Sequence, residues 1–189
     1  MKKLQGAFTA LITPMFEDGE IDYEGWRKLI QFQLEQGISG LVPLGTTGET
    51  PTLDETPEED KLIEIVISEV KAYKEKLAAE GKARDIPVIL GCGSNDTSDA
   101  VKYVERAKKM GADYALVVSP YYNKPSDEGI FRHFEAVSKI GIPIIVYNIA
   151  GRTGKNISTD LLYCIAELTN NAGVKEASVY MNKIIDLNV

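Results

Sequence analysis

The sequence predicts an α/β protein built from repeated strand–helix units. Six short apolar segments alternate with longer amphipathic ones, and each amphipathic segment has the length and spacing of a helix. Such alternation is typical of parallel strands that are joined by right-handed crossovers. Two architectures fit, an open doubly wound sheet and a (β/α) barrel, and the strand pattern alone does not choose between them.

The elements can be placed in order along the chain. The predicted strands cover residues 7–15, 40–44, 87–90, 113–118, 143–146 and 173–175. The predicted helices cover residues 22–36, 56–81, 97–110, 126–139 and 158–168, and a sixth helix starts at 181–187. Helix starts are predicted at Asp22, Thr56, Thr97, Ser126 and Ser158 or Thr159, because these side chains can accept a hydrogen bond from the first helical turn.

Composition sets the class of protein and excludes several functions. The 189 residues suffice for one ordinary domain with a real core, and we expect a single domain over residues 1–189. The net charge of -7 argues against nucleic acid or an anionic membrane as the main partner. No apolar run is long enough to cross a bilayer, and the first residues lack the apolar core of a signal peptide. We therefore expect a cytoplasmic protein in which Cys92 and Cys164 are buried free thiols.

A glycine- and threonine-rich turn follows the second predicted strand at residues 45–49 (GTTGE). Glycines there let the backbone turn tightly and point its N–H groups at an anion, and the threonine hydroxyls add donors. The motif suits a small carboxylate, but it equally suits an ordinary strand-to-helix turn. Its spacing matches neither a Walker loop nor a dinucleotide-binding loop.

Two polar residues end neighbouring strands in a way that suggests amine chemistry. Tyr147 follows the fifth apolar run, and Lys175 interrupts the sixth. A lysine at a strand end is usually a surface residue, and an aromatic there usually packs. If the lysine is desolvated, its pKa falls and the neutral amine can form a Schiff base with a ketone, while the phenol moves protons. Arg152 lies in the following loop, either solvated or as a clamp for a carboxylate.

Other candidate residues carry less specific signals. Tyr121 and Tyr122 follow the fourth strand, and paired tyrosines often serve an interface. His133 is the only histidine and lies mid-helix, so we expect it to be structural. One histidine and two scattered cysteines make a zinc site or a catalytic triad unfavourable.

Taken together, four motifs resemble the dihydrodipicolinate synthase and N-acetylneuraminate lyase family of pyruvate-dependent class I aldolases. They are the segments 45–49 (GTTGE), 120–125 (PYYNKP), 147–154 (YNIAGRTG) and 173–177 (GVKEA), in the family's order and spacing. The family fold is a (β/α)₈ barrel, so the resemblance implies an α/β TIM-barrel type, truncated here after about six βα units. A complete barrel typically takes about 250 residues. We therefore expect strands seven and eight to be absent, as in a fragment or a shortened gene product.

The resemblance implies a role for each matching residue. Lys175 corresponds to the lysine that forms an imine with pyruvate, and Tyr147 to the tyrosine that relays protons to and from the carbinolamine. Thr46 corresponds to the threonine that links two tyrosines by hydrogen bonds, and Thr46 with Thr47 to the contact for the pyruvate carboxylate. Tyr122 corresponds to the second tyrosine, which reaches the neighbouring subunit's site and implies a dimer or tetramer.

Further positions bear on substrate and regulation. Arg152 corresponds to the arginine that receives the carboxylate of the aldehyde substrate, and it separates the synthase branch from the neuraminate lyases. Asn95, Asp99 and Tyr121 correspond to positions that bind lysine in feedback-inhibited members. Ala150 stands where the family usually has proline, which predicts a less rigid loop around Arg152.

The implied reaction condenses pyruvate, held as a lysine Schiff base, with aspartate 4-semialdehyde in diaminopimelate and lysine biosynthesis. The resemblance implies no metal or organic cofactor, and no nucleic-acid or membrane partner. Two alternatives stay open. The chain could be another pyruvate-dependent aldolase, of the N-acetylneuraminate lyase or 2-keto-3-deoxy sugar acid type, or a catalytically incomplete fragment that only associates into oligomers.

Overall fold

The structure is a computed structural model, which describes residues 4–178 and 181–186. Its strands are β1 (Phe8–Ala10), β2 (Gly40–Val42), β3 (Ile89–Gly91), β4 (Tyr114–Val118), β5 (Ile144–Asn148) and β6 (Asn171–Glu176). Its helices are α1 (Tyr23–Glu35), α2 (Asp60–Ala79), α3 (Thr97–Met110), α4 (Asp127–Ser138), α5 (Ala150–Thr153), α6 (Thr159–Ala166) and α7 (Met181–Asp186). The chain forms two compact units, Met1–Gly91 with Lys109–Asp113, and Cys92–Lys108 with Tyr114–Val189.

The first unit contains parallel strands with two long helices. β1 pairs with β2 from Phe8 opposite Gly40 to Ala10 opposite Val42, and a parallel bridge from Leu41 joins β2 to the segment before β3. The segment after β2 passes so close to the end of β3 that a Cβ on Gly91 would lie 1.8 Å from the carbonyl oxygen of Leu44. Only glycine fits at that position, which explains why β3 ends in one.

Helices α1 and α2 of the first unit pack through a buried tryptophan. Trp26 is fully buried, and its indole Nε1 donates a hydrogen bond to the carbonyl oxygen of Leu62 at 3.1 Å. Beside this contact Arg27 pairs with Glu69. The buried leucines, isoleucines and valines of both helices face the same core, and each contributes about 1.5–3 kcal/mol by leaving water.

The second unit is organised around three parallel strands. β5 lies between β4 and β6, with Val118 opposite Tyr147 and Tyr147 opposite Lys175. A register irregularity at Ile144/Ile145 shifts the pairing of β6 near its start. The central strand is almost wholly buried, which explains why its sequence is a continuous apolar run rather than an alternating one.

Three of the predicted helix starts are confirmed by side-chain caps. Asp22 accepts a hydrogen bond from the N–H of Gly25, Ser126 from Gly129, and Ser158 from Leu161. Each cap satisfies a donor that the first helical turn would otherwise leave without a partner.

At α3 the predicted start is confirmed but the predicted cap is wrong, and at α2 the start itself is wrong. α3 begins at Thr97 as predicted, but Asp96 is its cap, because the Asp96 carboxylate accepts from the N–H of Ser98 at 2.7 Å. Thr56 lies inside a π-helical turn, Glu55–Glu59, that precedes α2. Since the Glu58 carboxylate accepts from the N–H of Asp54 at 2.9 Å, the helical backbone begins before the predicted capping box.

The first strand is shorter than predicted, ending at Ala10 instead of residue 15. Met15 makes an antiparallel bridge to Ile21, and the turn between them uses Gly19 at φ +90°. The apolar residues after β1 therefore belong to a turn, and Ile12 and Phe16 are exposed. The last helix was expected to run to residue 187, which lies outside the described residues.

Three remaining expectations concern the number of domains, the two cysteines and membrane-spanning segments. The prediction of a single domain over residues 1–189 stays a prediction, because the two units are described separately. Cys92 is a buried free thiol as expected, but the prediction for Cys164 is wrong, because this residue of α6 is exposed. Within the described residues, no helix has the length and hydrophobicity needed to cross a membrane.

Candidate active site

The carboxyl ends of β5 and β6 bring the predicted amine and phenol together. Tyr147 and Lys175 are direct partners in the parallel register, so both side chains leave the same face of the sheet. The Lys175 Nζ atom lies 4.2 Å from the centroid of the Tyr147 ring. The pair is therefore a contact, as the sequence predicted from two separate strand ends.

The Lys175 side chain combines access with partial loss of water. As a whole residue it is exposed, so a small ketone can reach its amine. Within the second unit, none of the described residues forms an ion pair with it. Burial by its surroundings still lowers the pKa of Lys175 below its ordinary value, because a partly desolvated ammonium is less stable. The result is an accessible amine with an increased neutral fraction.

The phenol of Tyr147 is influenced by two opposing effects. Burial raises the pKa of Tyr147, and the positive charge of Arg152 lowers it in part. The phenol therefore stays protonated at neutral pH and can donate a proton.

Arg152 is carried by a short helix that the sequence did not predict. α5 (Ala150–Thr153) is a single turn that ends at Gly154, which adopts φ +71° and donates its N–H to Ala150. Buried Thr153 donates its hydroxyl to the carbonyl of Lys155 at 2.8 Å. This hydrogen bond of Thr153 stabilises the turn, although Ala150 stands where the family usually has proline. The Arg152 residue itself is exposed.

The opposite face of the same two strands carries a second polar cluster. Asn148 and Glu176 follow Tyr147 and Lys175 and are also partners in the register. The Asn148 Nδ2 donates to both carboxylate oxygens of Glu176 at 2.9 Å and to the Oδ1 of Asn156 at 2.9 Å. The Lys183 Nζ donates to that same Oδ1 at 3.1 Å and pairs with the Glu176 carboxylate at 3.2 Å. We call Asn148, Asn156, Glu176 and Lys183 the polar ring.

The loop after β4 presents Tyr122 to solvent. Tyr122 is 88% exposed and has φ +71°, and the N–H of Asn123 bonds to the carbonyl of Tyr121 at 2.8 Å across it. This is a γ-turn with a non-glycine residue in the left-handed region, a strained conformation that is found mostly at functional sites.

Of the three predicted regulatory residues, Tyr121 lies in this loop and Asn95 is in contact with it. The side chain of Asn123 donates to the carbonyl of Asn95 at 3.2 Å, which joins the loop after β3 to the loop that contains Tyr121. Asp99 lies in the first turn of α3 and pairs with Lys102 at 2.8 Å. The contact therefore brings Asn95 next to the loop of Tyr121, whereas the carboxylate of Asp99 is engaged on its own helix.

Thr46 and Thr47 belong to the first unit and are described there alone. They begin a 3₁₀ turn, Thr46–Gly48, four residues after the end of β2. The turn packs closely at Gly48, where a Cβ would lie 3.1 Å from the carbonyl oxygen of Leu11. Within the first unit, the amide N–H groups and hydroxyls of both threonines have no hydrogen-bond partner among the described residues. Four donors are thus free to bind an anion.

His133 is structural, as expected from its position. It is buried in α4, its Nδ1 lies 2.9 Å from the Thr97 hydroxyl, and burial lowers the pKa of His133 to about 4. It is therefore neutral at physiological pH. Among residues 4–178 and 181–186, no three His, Cys, Asp or Glu side chains are grouped as a metal site would need.

Sequence reasoning missed the polar ring. Asn148 and Glu176 stand inside the quoted motifs, but no role was assigned to them. Asn156 and Lys183 were not singled out at all. The available signal was the charge of Lys183, which precedes two isoleucines in a predicted amphipathic helix. A cation at the edge of an apolar stripe can point inward, where it needs a partner.

Comparison with known proteins identifies the family to which the chain belongs. The family model described as "Dihydrodipicolinate synthetase family" matches residues 3–189. The chain belongs to this family of α/β enzymes, which confirms the family that the four motifs predicted.

Individual relatives agree with this assignment. The 4-hydroxy-tetrahydrodipicolinate synthase of Protochlamydia amoebophila is 48% identical over 185 residues, which are 97% of this chain and 57% of the relative. Among solved structures, the dihydrodipicolinate synthase of Aquifex aeolicus is 41% identical with a TM-score of 0.85, over 97% of this chain and 58% of that one. The enzyme of Acinetobacter baumannii, solved in complex with pyruvate, is 37% identical with a TM-score of 0.87, over 98% and 61%.

These matches also bear on the fold. The predicted α/β class with parallel strands, of the TIM-barrel type, is confirmed by the similarity to solved dihydrodipicolinate synthases. The chain spans a little more than half the length of the relatives that it matches.

Proposed function

We propose that this chain carries the imine-forming part of a 4-hydroxy-tetrahydrodipicolinate synthase, with Lys175 as the nucleophile toward pyruvate. The observation that supports this most directly is the contact of the Lys175 amine with the Tyr147 ring, 4.2 Å from its centroid, together with the lowered pKa of that amine. An accessible lysine without a counter-ion, next to a protonated phenol, is suited to attack on a ketone.

In the proposed reaction, pyruvate is first bound covalently to Lys175 and is then condensed with the aldehyde substrate. The neutral Lys175 amine adds to the keto carbon of pyruvate and gives a carbinolamine, and loss of one water gives the imine. Tyr147 moves the protons that these steps require. The protonated imine nitrogen withdraws electrons, so the pyruvate methyl group loses a proton and an enamine forms. The enamine carbon then attacks the aldehyde of aspartate 4-semialdehyde, and the amino group of the adduct displaces the lysine as the ring closes.

The remaining predicted residues bind and orient in this proposal. Thr46 and Thr47 correspond, by the family resemblance, to the contact for the pyruvate carboxylate, and their N–H and hydroxyl donors suit that role. Arg152, exposed on α5, receives the carboxylate of the aldehyde substrate as a bidentate clamp. Tyr122, exposed on a strained turn, completes the site of a second subunit in a homodimer or homotetramer.

The same proposal includes four expectations about context. The reaction uses no metal or organic cofactor, because the lysine supplies the electron sink covalently. The enzyme acts in the cytoplasm, in diaminopimelate and lysine biosynthesis. It has no nucleic-acid or membrane partner. Lysine, as a feedback inhibitor, binds near Asn95, Asp99 and Tyr121.

Reductive trapping tests the central step. The protein is incubated with pyruvate and borohydride, and its mass is measured intact and after digestion. We expect one adduct, equal to pyruvate minus one oxygen atom, on the peptide that contains Lys175. A folded sample without an adduct would exclude imine chemistry in this chain and favour a fragment that only associates.

The aldehyde substrate is tested separately. Arg152→Ala should leave trapping of pyruvate nearly unchanged, while turnover with aspartate 4-semialdehyde falls about 100-fold, since a charge-assisted bidentate contact contributes roughly 1.5–3 kcal/mol. The matched control is Arg132→Ala, which removes an exposed arginine paired with Glu128 and Glu135 on α4. Equal turnover of a sugar-derived aldehyde in the parent protein would instead favour another pyruvate aldolase.

A further inference from the structure

The polar ring lies directly behind the proposed reaction site. Tyr147 and Lys175 leave one face of the β5–β6 pair, and the next residues, Asn148 and Glu176, leave the other. Asn148 is fully buried, and the side chains of Glu176 and Lys183 are 7% and 6% exposed. The ring therefore cannot touch a substrate on the Lys175 face, and any effect on chemistry passes through the backbone of the two strands.

The ring joins four separate segments of the second unit. It takes Asn148 from the end of β5, Asn156 from the segment before α6, Glu176 from the end of β6 and Lys183 from α7. Three of the four side chains, those of Asn148, Glu176 and Lys183, are also hydrogen-bonded to backbone groups. The Asn148 Oδ1 accepts from the N–H of Ile157 at 3.1 Å, and Lys183 donates to the carbonyl of the same residue.

Backbone contacts extend the ring to the strand ends themselves. The Glu176 carboxylate accepts from the N–H of Ser178 at 2.8 Å, and the N–H of Ala177 bonds to the carbonyl of Asn148 at 2.9 Å. The pKa of Glu176 reports the same arrangement. Burial alone would raise this pKa, but hydrogen bonds from Asn148, Ser178 and Lys183 outweigh burial and hold it below its ordinary value. Glu176 is thus a carboxylate in the folded protein.

A buried ion pair of this kind needs a reason other than stability. Removing two charges from water is costly, and apolar residues of similar volume often serve stability equally well. A closed ring of charged hydrogen bonds instead holds each of its groups in one defined position. Since Glu176 and Asn148 are the direct neighbours of Lys175 and Tyr147, that position defines the strand ends that carry the amine and the phenol.

We infer that Glu176 and Lys183, with Asn148 and Asn156, are positioning residues that hold the ends of β5 and β6 so that Lys175 stays over the Tyr147 ring. This inference rests on the proposed imine chemistry of Lys175 and adds the residues that keep it in place. Without the ring, the end of β6 is free to move, and the Lys175 amine shifts away from the phenol toward water.

The pH dependence of imine formation tests this position, because it reports the pKa of the Lys175 amine. The variant is the double substitution Glu176→Gln/Lys183→Met, which removes one negative and one positive charge. Its net charge equals that of the parent, so a change in the pH midpoint does not arise from net charge. The rate of pyruvate trapping by borohydride is measured across pH in both proteins.

We expect the midpoint of the double variant to lie about one pH unit higher and its rate at pH 7 to be about tenfold lower, since a more hydrated lysine has a smaller neutral fraction. A purely structural ring would lower stability and leave the midpoint of the folded protein unchanged, and that result would overturn the inference. The matched control is Arg27→Met/Glu69→Gln, which removes an ion pair of the first unit and should leave the midpoint in place.

Two further results keep the test decisive. If the double variant does not fold, Asn156→Ala replaces it, since Asn156 is exposed as a residue and uncharged. It should raise the midpoint by a smaller amount, and an unchanged midpoint again overturns the inference. If the parent protein forms no adduct, the proposed function itself is wrong. If the parent protein reacts and the variants have the same pH midpoint as the parent, only the positioning role of the polar ring is wrong.

Discussion

Two lysines of the second unit, Lys175 and Lys183, lie on opposite sides of the β5–β6 pair and have opposite environments. Lys175 is exposed as a residue and forms no ion pair with the described residues of its unit, and partial burial lowers its pKa. Lys183 is buried, pairs with the Glu176 carboxylate and donates to two further oxygens. Partial burial lowers the pKa of the accessible lysine, Lys175, whereas the buried lysine, Lys183, has polar partners in place of water.

This difference shows what a nucleophilic lysine requires. Burial alone does not make an amine reactive, because a counter-ion restores the charged form. Partial desolvation without a counter-ion does favour the neutral amine, and access for the ketone must remain. The two strands meet both needs by placing the carboxylate, Glu176, on the face that Lys175 does not use.

The largest expected effect separates the two lysines by chemistry. Lys175→Met should abolish the pyruvate adduct, because the amine that forms the imine is gone. Lys183→Met should still form an adduct, at a reduced rate. Intact mass after borohydride treatment measures both, with Lys139→Met as an exposed control. An adduct that persists in Lys175→Met would assign the chemistry to another lysine.

The next largest effect is a difference between Lys183 and Lys175 in their contribution to the free energy of unfolding. Lys183→Met leaves the buried Glu176 carboxylate without its cation, and the free energy of unfolding should fall by about 3–5 kcal/mol. Lys175→Met removes no ion pair within the second unit and should change it by less than about 0.5 kcal/mol. Urea unfolding gives both values. Lys155→Met is the control, because its pair with Asp127 at 2.8 Å is largely exposed and contributes about 0–1 kcal/mol. Equal losses at 155 and 183 would contradict the contrast.

A buried base without a counter-ion extends the comparison. The pKa of His133 is about 4 in the folded protein and 6.5 as an ordinary value, so the unfolded chain binds more protons between these pH values. The free energy of unfolding should therefore fall as the pH drops from 6.5 toward 4, by up to about 3 kcal/mol. In His133→Gln this part of the dependence should be missing. Parallel urea titrations at several pH values measure it, and identical slopes would refute it.

The smallest expected effect concerns the segment that carries Asn156 of the ring. Ser158→Ala removes the cap that accepts from the N–H of Leu161 at 3.2 Å, and should lower the free energy of unfolding by about 1 kcal/mol. Ser126→Ala at α4 should cost a similar amount, because its cap has the same geometry. Thermal unfolding compares the two variants. A much larger loss at Ser158 would show that this cap also supports the polar ring.

Much of the fold was predictable because local patterns agree with it. The alternation of apolar and amphipathic segments predicted all six strands, and Asp22, Ser126 and Ser158 mark helix starts by side chains that cap locally. Errors arose where neighbours compete. Asp96 caps α3 in place of Thr97. Before α2, the Glu58 carboxylate accepts a hydrogen bond from the N–H of Asp54, so the helical backbone begins ahead of the predicted capping box. The apolar residues after β1 read as strand, but a bridge from Met15 to Ile21 makes them a turn.

For the candidate site, residue order and chemistry were sufficient to select Lys175, Tyr147 and Arg152, since a strand end and a short motif are local properties of a chain. The register that puts the amine over the phenol and the desolvation that lowers its pKa could not be obtained that way. Both depend on how β5 and β6 pair and on what packs around them. The ring of Asn148, Asn156, Glu176 and Lys183 is the clearest case, because hydrogen bonds between residues up to 28 positions apart exist only once the strands and helices have come together.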